Sequence, residues 1–188
     1  MKRIAIFASG RGTNAQNIIE HFRGNSLVKV ECIICNNPKA GIIEIAQKEQ
    51  VPLHLITRSD LYENDVVLKL LRENKIDLVV LAGFLWMIPE KILDTFPKRI
   101  LNIHPALLPK YGGANMYGLK VHDAVIANKE KESGITIHYL NEKYDEGEII
   151  FQKKIPVEGG DTAESLAVKI QQLEYEWYPK IIEQLLAS

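Results

Sequence analysis

Five short apolar runs alternate with segments of helical period across the first hundred residues, and this alternation constrains the fold more than any other feature. The runs are Arg3–Ala8, Val28–Cys35, Leu53–Ile56, Asp77–Ala82 and Arg99–His104. They are rich in β-branched residues and apolar on both alternating positions, as strands covered on both faces require. Between them lie NAQNIIEHFR, AGIIEIAQKEQ, SDLYENDVVLKLLRENK and a shorter helical stretch after Pro89. In the third of these, Leu61, Val66, Leu68, Leu70 and Leu71 form an apolar side, with Ser59 as the expected N-cap. Strand, helix and strand in repetition imply right-handed crossovers and a parallel sheet. Beyond His104 the pattern changes. A helix is expected over Gly118–Asn128, then two strands, Gly134–Leu140 and Glu148–Ile155, joined by NEKYDEG. Asp161–Leu186 reads as one long amphipathic helix, bent or broken near Pro179. The expected architecture is an open α/β fold: a mostly parallel, Rossmann-like sheet with an antiparallel C-terminal hairpin and a long C-terminal helix.

A chain of 188 residues with 46% hydrophobic residues can bury a sizeable core and matches the usual size of one domain, residues 1–188. Lys and Arg number 23 against 24 Asp and Glu, a formal charge of -1 without long runs of one sign. That balance argues against a nucleic-acid or polybasic membrane surface. The longest apolar stretch, Leu78–Ile88, falls well short of the roughly 20 residues of a membrane span. At the N-terminus, Gly10, Arg11, Gly12 and Asn14 interrupt the apolar run before a signal-peptide core is complete. A cytoplasmic protein is expected, without a membrane partner.

Cys32 and Cys35 form a C-x-x-C, a spacing used in redox and zinc sites. Both sit in a run that reads as a buried strand, where side chains three apart point to opposite faces, and no second C-x-x-C or His pair accompanies them. Buried, reduced thiols and no metal are expected.

In open α/β sheets ligands bind beyond the carboxyl ends of the parallel strands, so the loops after Ala8, Cys35, Ala82 and His104 are the candidates. The first, ASGRGTNAQ, fits G-x-G-x-x-G/A through Gly10, Gly12 and Ala15. A dinucleotide site also needs an acid at the end of the second strand to hold the ribose, and Asn36 and Asn37 stand there instead. A glycine loop opening a helix suits a phosphate monoester, with Ser9, Thr13 and Asn14 adding donors to the free N–H groups. The plainer alternative is a tight turn in which Thr13 or Asn14 only caps the helix.

At the end of the fifth strand, Asn102 and His104 are two residues apart and share one face of the sheet. Alone, they are equally compatible with a core histidine bonded to a backbone carbonyl and a capping asparagine. Asp145, in the turn KYDEGEI, supplies an acid able to reach an imidazole across the sheet end, or else bonds its own backbone.

SGRGTN, LAGF at Leu81–Phe84, NIHPALLPKY at Asn102–Tyr111 and GITIHYLNEKYDEGEI at Gly134–Ile149 occur in order along nearly the whole chain. In these motifs the sequence resembles the phosphoribosylglycinamide formyltransferase family, folate-dependent enzymes of purine synthesis with the formyltransferase fold. The resemblance implies formyl transfer from 10-formyltetrahydrofolate, a co-substrate, to the amine of glycinamide ribonucleotide, with no metal. It implies a phosphate-binding half at 1–100 and a catalytic and folate-binding half at 101–188. The family's catalytic trio falls on Asn102, His104 and Asp145. An amide and an imidazole can stabilise the oxyanion formed when an amine attacks a formyl carbon, and a carboxylate that orients the imidazole can move the proton. The nucleotide contacts fall on Gly12, Thr13, Asn14, Gly83, Pro105 and Glu174. The segments enclosing the pterin fall on Phe84, Leu85, Trp86, Met87 and Ile88, and on Tyr139, Leu140, Asn141, Glu142 and Tyr144; as plain core packing these aromatic and aliphatic groups would look the same.

The chain departs from the family pattern in YGGANMYGLKVHDA after Lys110, where relatives often have a proline and a shorter path to a histidine, and at Trp86, where many carry an arginine. Related formyltransferases acting on methionyl-tRNA or on sugar nucleotides, and the formyltetrahydrofolate deformylases, are expected to be longer. A folate- or phosphate-binding module of the same fold is the non-enzyme alternative. Only small-molecule partners are expected, with the protein a monomer or homodimer.

Overall fold

A computed structural model describes residues 1–187. Seven strands form one mixed sheet in the order β3-β2-β1-β4-β5-β6-β7, where β1 is Lys2–Ala8, β2 Val28–Cys35, β3 Leu53–Leu55, β4 Leu78–Leu81, β5 Ile100–His104, β6 Glu132–Tyr139 and β7 Ile149–Pro156. The helices are α1 Thr13–His21, α2 Ile42–Lys48, α3 Arg58–Tyr62, α4 Val66–Glu73, α5 Glu90–Thr95, α6 Leu119–Ala127 and α7 Ala163–Ala187. Among the described residues no helix is long and apolar enough to cross a membrane.

The chain divides into two compact units, Met1–Leu101 with the end of α7 from Glu183, and Asn102–Ile182. In the first unit β1 pairs in parallel with β2 and with β4, and β2 in parallel with β3. Ile4, Ile6, Phe7, Ile33, Ile34, Val79 and Val80 are fully buried, which explains why these strands carry no polar alternation. Each such side chain contributes about 1.5–3 kcal/mol by leaving water. A bulge between Ile4 and Ala5 sets Ala5 opposite Cys32, so the ladder skips Glu31.

The long helical segment expected over Ser59–Lys75 is two helices: the first ends at Tyr62 with Glu63 as its C-cap, and Asp65, in a left-handed backbone (φ 54), stands at the N-cap of the second. Thr57, not Ser59, is the N-cap of α3. Its side chain accepts from the Asp60 N–H while the Asp60 carboxylate accepts from the Thr57 N–H.

In the second unit β6 and β7 pair antiparallel, from Glu132 opposite Pro156 to His138 opposite Ile149. Helix α7 runs through Pro179 without the break expected there. A proline inside a helix costs about 3 kcal/mol, and burial of Tyr178, Pro179, Ile181 and Ile182 offsets it. Trp177, on the same helix, stacks on Phe151 of β7 with ring centroids 4.8 Å apart.

Both cysteines are free and buried in β2. Burial pushes the Cys32 thiol up to about 12 and raises Cys35 as well, so neither supplies a thiolate near neutral pH.

Candidate active site

In the first unit the turn after β1 is built around Gly12, which caps α1 with a left-handed backbone (φ 80, ψ 17) and no side-chain cap. A Cβ at Gly12 would lie 2.7 Å from Ile42 Cδ1 and 3.0 Å from Ile42 Cα, so α2 requires this glycine independently of any ligand. Thr13 and Asn14 open α1 directly behind it. Where a dinucleotide site would hold an acid, Asn37 donates from Nδ2 to the Ser9 carbonyl at 3.1 Å and fixes the glycine turn. Ser9 also ties this turn to the one after β4. Its N–H donates to the Gly83 carbonyl at 3.1 Å, and its Oγ accepts from the Leu85 N–H at 3.0 Å.

Gly83 is left-handed (φ 75). Beyond it the FLWMI segment divides by environment. Phe84 packs edge-on against Phe7 with centroids 5.2 Å apart, and Ile88 is buried. Leu85 is 59% exposed and Met87 38%, apolar surface that core packing does not use. Trp86 is covered by the Arg58 guanidinium, 5.0 Å from the ring centroid. This chain thus brings a cation from α3 to the face of an indole.

In the second unit the end of β5 delivers Asn102 and His104 to one face, as the two-residue spacing requires. His104 is 4% exposed and uses both ring nitrogens. Nε2 lies 2.7 Å from the Tyr111 carbonyl and Nδ1 lies 3.5 Å from Asp145 Oδ2. A carbonyl can only accept, so Nε2 carries the hydrogen and the neutral ring turns its Nδ1 lone pair toward the carboxylate. Asp145 also accepts the Gly113 N–H at 2.9 Å. It sits in a left-handed turn (φ 55), and Gly147 follows because a Cβ there would come within 1.7 Å of the Tyr139 carbonyl.

Among the described residues no hydrogen bond joins Asn102 to His104 or Asp145; His138 links it to Asp145. His138 is 1% exposed. Its Nδ1–H donates to the Tyr139 carbonyl at 3.0 Å, which leaves Nε2 as an acceptor. Asn102 Nδ2 donates to that Nε2 at 3.3 Å, and Asp145 Oδ1 lies 3.6 Å from it. His138 is not among the residues that the sequence motifs single out, although a signal for it exists: Thr136 and His138 stand two apart on β6, as Asn102 and His104 do on β5. Thr136 is also buried and supports the loop after His104. Its hydroxyl donates to the Ala106 carbonyl at 2.7 Å and accepts from the Leu108 N–H at 3.0 Å.

His104 Nδ1 and His138 Nε2 therefore face the two oxygens of one half-buried carboxylate. Burial holds His104 below the ordinary imidazole value, opposed by the Asp145 carboxylate and the Tyr111 carbonyl. Burial alone would raise Asp145. The His138 contact, the charge on His104 and the Gly113 N–H outweigh it and leave the carboxyl below its ordinary value. At neutral pH the site thus holds the Asp145 carboxylate beside a neutral His104 ring, poised to accept one proton.

Of the remaining expected residues in this unit, Pro105 is half-buried directly after β5 and Glu174 is half-buried on α7. Tyr139 and Leu140 are half-buried, whereas Asn141, Glu142 and Tyr144 are exposed in the β6–β7 turn. No group of three or more His, Cys, Asp or Glu that could hold a metal occurs among the described residues.

A family model described as formyl transferase matches residues 2–182. The phosphoribosylglycinamide formyltransferase of Bacillus subtilis is 34% identical over 192 residues, an alignment covering 99% of this chain and 95% of the relative. The chloroplastic phosphoribosylglycinamide formyltransferase of Arabidopsis thaliana is 38% identical over 187 residues, covering 96% of this chain; the chain spans 64% of the plant protein's length. The crystal structure of phosphoribosylglycinamide formyltransferase from Anaplasma phagocytophilum is similar with a TM-score of 0.91 at 36% identity, covering 100% of this chain and 87% of that one. With the glycine turn, the N-x-H-P strand end and the D-x-G turn all within the matched span, the chain belongs to the formyl transferase family, among relatives that are phosphoribosylglycinamide formyltransferases.

Proposed function

We propose that this protein transfers the formyl group of 10-formyltetrahydrofolate to the amine of glycinamide ribonucleotide in purine (IMP) synthesis. The observation that carries the reading is the half-buried carboxylate of Asp145 set between His104 and His138, with Asn102 hydrogen-bonded to the latter. Asn102, His104 and Asp145 are the catalytic groups. The first unit is the phosphate-binding half, with Gly12, Thr13 and Asn14 receiving the nucleotide phosphate. Gly83, Pro105 and Glu174 contact the rest of the nucleotide. Phe84–Ile88 and the Tyr139–Tyr144 turn receive the folate, the exposed Leu85 and Met87 being the apolar surface such a ring would cover.

The amine lone pair attacks the formyl carbon, and the carbonyl oxygen becomes an oxyanion. Asn102 spends one Nδ2–H on His138 and keeps the second for that oxygen. The proton shed by the attacking amine passes, directly or through a water, to the Asp145–His104 pair, where it lies between Oδ2 and Nδ1. His104 gains positive charge as the oxyanion forms, which stabilises it further in a dry site. When the intermediate collapses, the bond from carbon to the folate N10 breaks and N10 takes up the proton. A fixed carboxylate and two fixed rings need little reorganisation for either step. The protein acts in this reading on small molecules in the cytoplasm, as a monomer or homodimer.

The test is direct. The protein is mixed with glycinamide ribonucleotide and 10-formyl-dideazafolate, and deformylation is followed by absorbance. Formylated nucleotide is expected as product. Deformylation that proceeds equally without the nucleotide, or not at all, refutes the assignment.

A further inference from the structure

Tyr111, whose carbonyl holds His104, has a left-handed backbone (φ 58), an unfavourable conformation for a bulky residue. Something outside the catalytic cluster must hold it. Its phenolic hydroxyl donates to Glu130 Oε1 at 2.9 Å, and the same oxygen accepts from Lys110 Nζ at 2.8 Å. Glu130 lies between the end of α6 and the start of β6, and grips two consecutive residues of the loop that returns to His104. At the far side of that loop the Gly113 N–H is held by Asp145. The loop is thereby pinned at both ends, and the Tyr111 carbonyl is left 2.7 Å from His104 Nε2.

The consequence is chemical. A neutral imidazole has two tautomers, and the partner of one nitrogen decides which is populated. While the Tyr111 carbonyl is in place, hydrogen sits on Nε2 and Nδ1 faces Asp145 ready for a proton. If the carbonyl moves away, hydrogen shifts to Nδ1 and donates to the carboxylate, and the pair loses the vacancy for the proton of the attacking amine.

We propose that Glu130 is a positioning residue for His104, acting through the Tyr111 hydroxyl to fix the Tyr111 carbonyl and with it the Nε2–H tautomer of the ring. The inference rests on the reading of His104 as a catalytic group. It does not involve substrate contact by Glu130.

The experiment uses the full chain labelled with 15N-histidine, at a pH above the titration of the rings. Long-range proton–nitrogen spectra distinguish the tautomers, and His104→Gln identifies the His104 signals. The native protein is expected to show the Nε2–H pattern. Glu130→Ala and Tyr111→Phe are each expected to shift the ring toward Nδ1–H, with kcat falling about tenfold, part of a general acid–base contribution, and KM for both substrates within about twofold. Glu130→Gln, whose amide oxygen can still accept from Tyr111, is expected to restore the native pattern and rate. Retention of the Nε2–H pattern in both Glu130→Ala and Tyr111→Phe overturns the proposal, whatever the rate does. So does a Glu130→Gln protein as altered as Glu130→Ala. A tautomer that shifts as expected with no change in kcat upholds the positioning role and instead removes His104 from the catalytic reading.

Discussion

Asp145→Asn tests the proposed chemistry with least disturbance of the fold. The asparagine keeps the size of the side chain, and its oxygen can still accept the Gly113 N–H, now at 2.9 Å. With that oxygen at the Oδ2 position, the amide nitrogen takes the place of Oδ1, which lies 3.6 Å from His138 Nε2. Packing and loop position are therefore retained, while the proton-accepting carboxylate is gone. A lost general acid–base group lowers the rate by roughly 10²–10⁴-fold, which at about 1.4 kcal/mol per tenfold is about 3–6 kcal/mol of barrier. The expected result is a fall of that size in kcat, followed by deformylation of 10-formyl-dideazafolate. Affinity for the nucleotide and for a folate lacking a transferable formyl group, measured by calorimetry, should change little. His104→Ala should behave alike, and the double variant should lose less than the two single losses combined, because the residues share one proton. An Asp145→Asn protein that turns over at the native rate, or whose sole defect is weak binding, refutes the reasoning and makes Asp145 an ordinary turn aspartate.

The pH dependence of stability gives a second expectation. Burial lowers His104 and His122 below the ordinary imidazole value, so the unfolded chain binds protons there that the folded chain does not. Stability should then fall as pH drops below about 6.5, and His122→Asn should flatten the slope, as read by denaturant melts across pH; an unchanged slope counts against it. Gly12→Ala should lower the melting temperature because of the positive φ and the approach to Ile42, whereas Thr13→Ala should raise KM for the nucleotide and leave KM for the folate unchanged; equal effects on both substrates would remove the phosphate from this turn. A Cys32→Ala/Cys35→Ala variant should lose roughly 1–3 kcal/mol in a denaturant melt and keep native turnover, with stoichiometric zinc in the native protein as the contrary finding.

Much of the architecture was legible because it follows from burial on both faces. Ile4, Ile6 and Phe7 in β1, and Ile33 and Ile34 in β2, leave no polar alternation, and such runs are strands of a covered parallel sheet. The helix breaks were not legible in the same way. Nothing in YENDVV marks Asp65 as the residue that turns left-handed, since the apolar spacing continues across it into α4. Pro179 misled in the opposite direction. The sequence marks a break, but the buried side chains on either side of it hold α7 together.

The catalytic cluster shows what period and spacing can and cannot convey. The N-x-H spacing places two side chains on one face of β5, and that is a local property of a strand. Which groups then meet is decided by other strands and by backbone atoms. His138 arrives from β6, and its link to Asn102 exists only because the Tyr139 carbonyl occupies Nδ1 and turns Nε2 outward. The acceptor on His104 Nε2 is a main-chain oxygen, which any residue at position 111 would carry. What the tyrosine adds is its hydroxyl, 2.9 Å from Glu130, and so a means of holding that oxygen where the ring needs it. A core histidine bonded to a carbonyl and a catalytic histidine bonded to a carboxylate are thus not alternatives in this protein. His104 is both, one nitrogen to each, and the first bond is what leaves the second nitrogen free to take a proton.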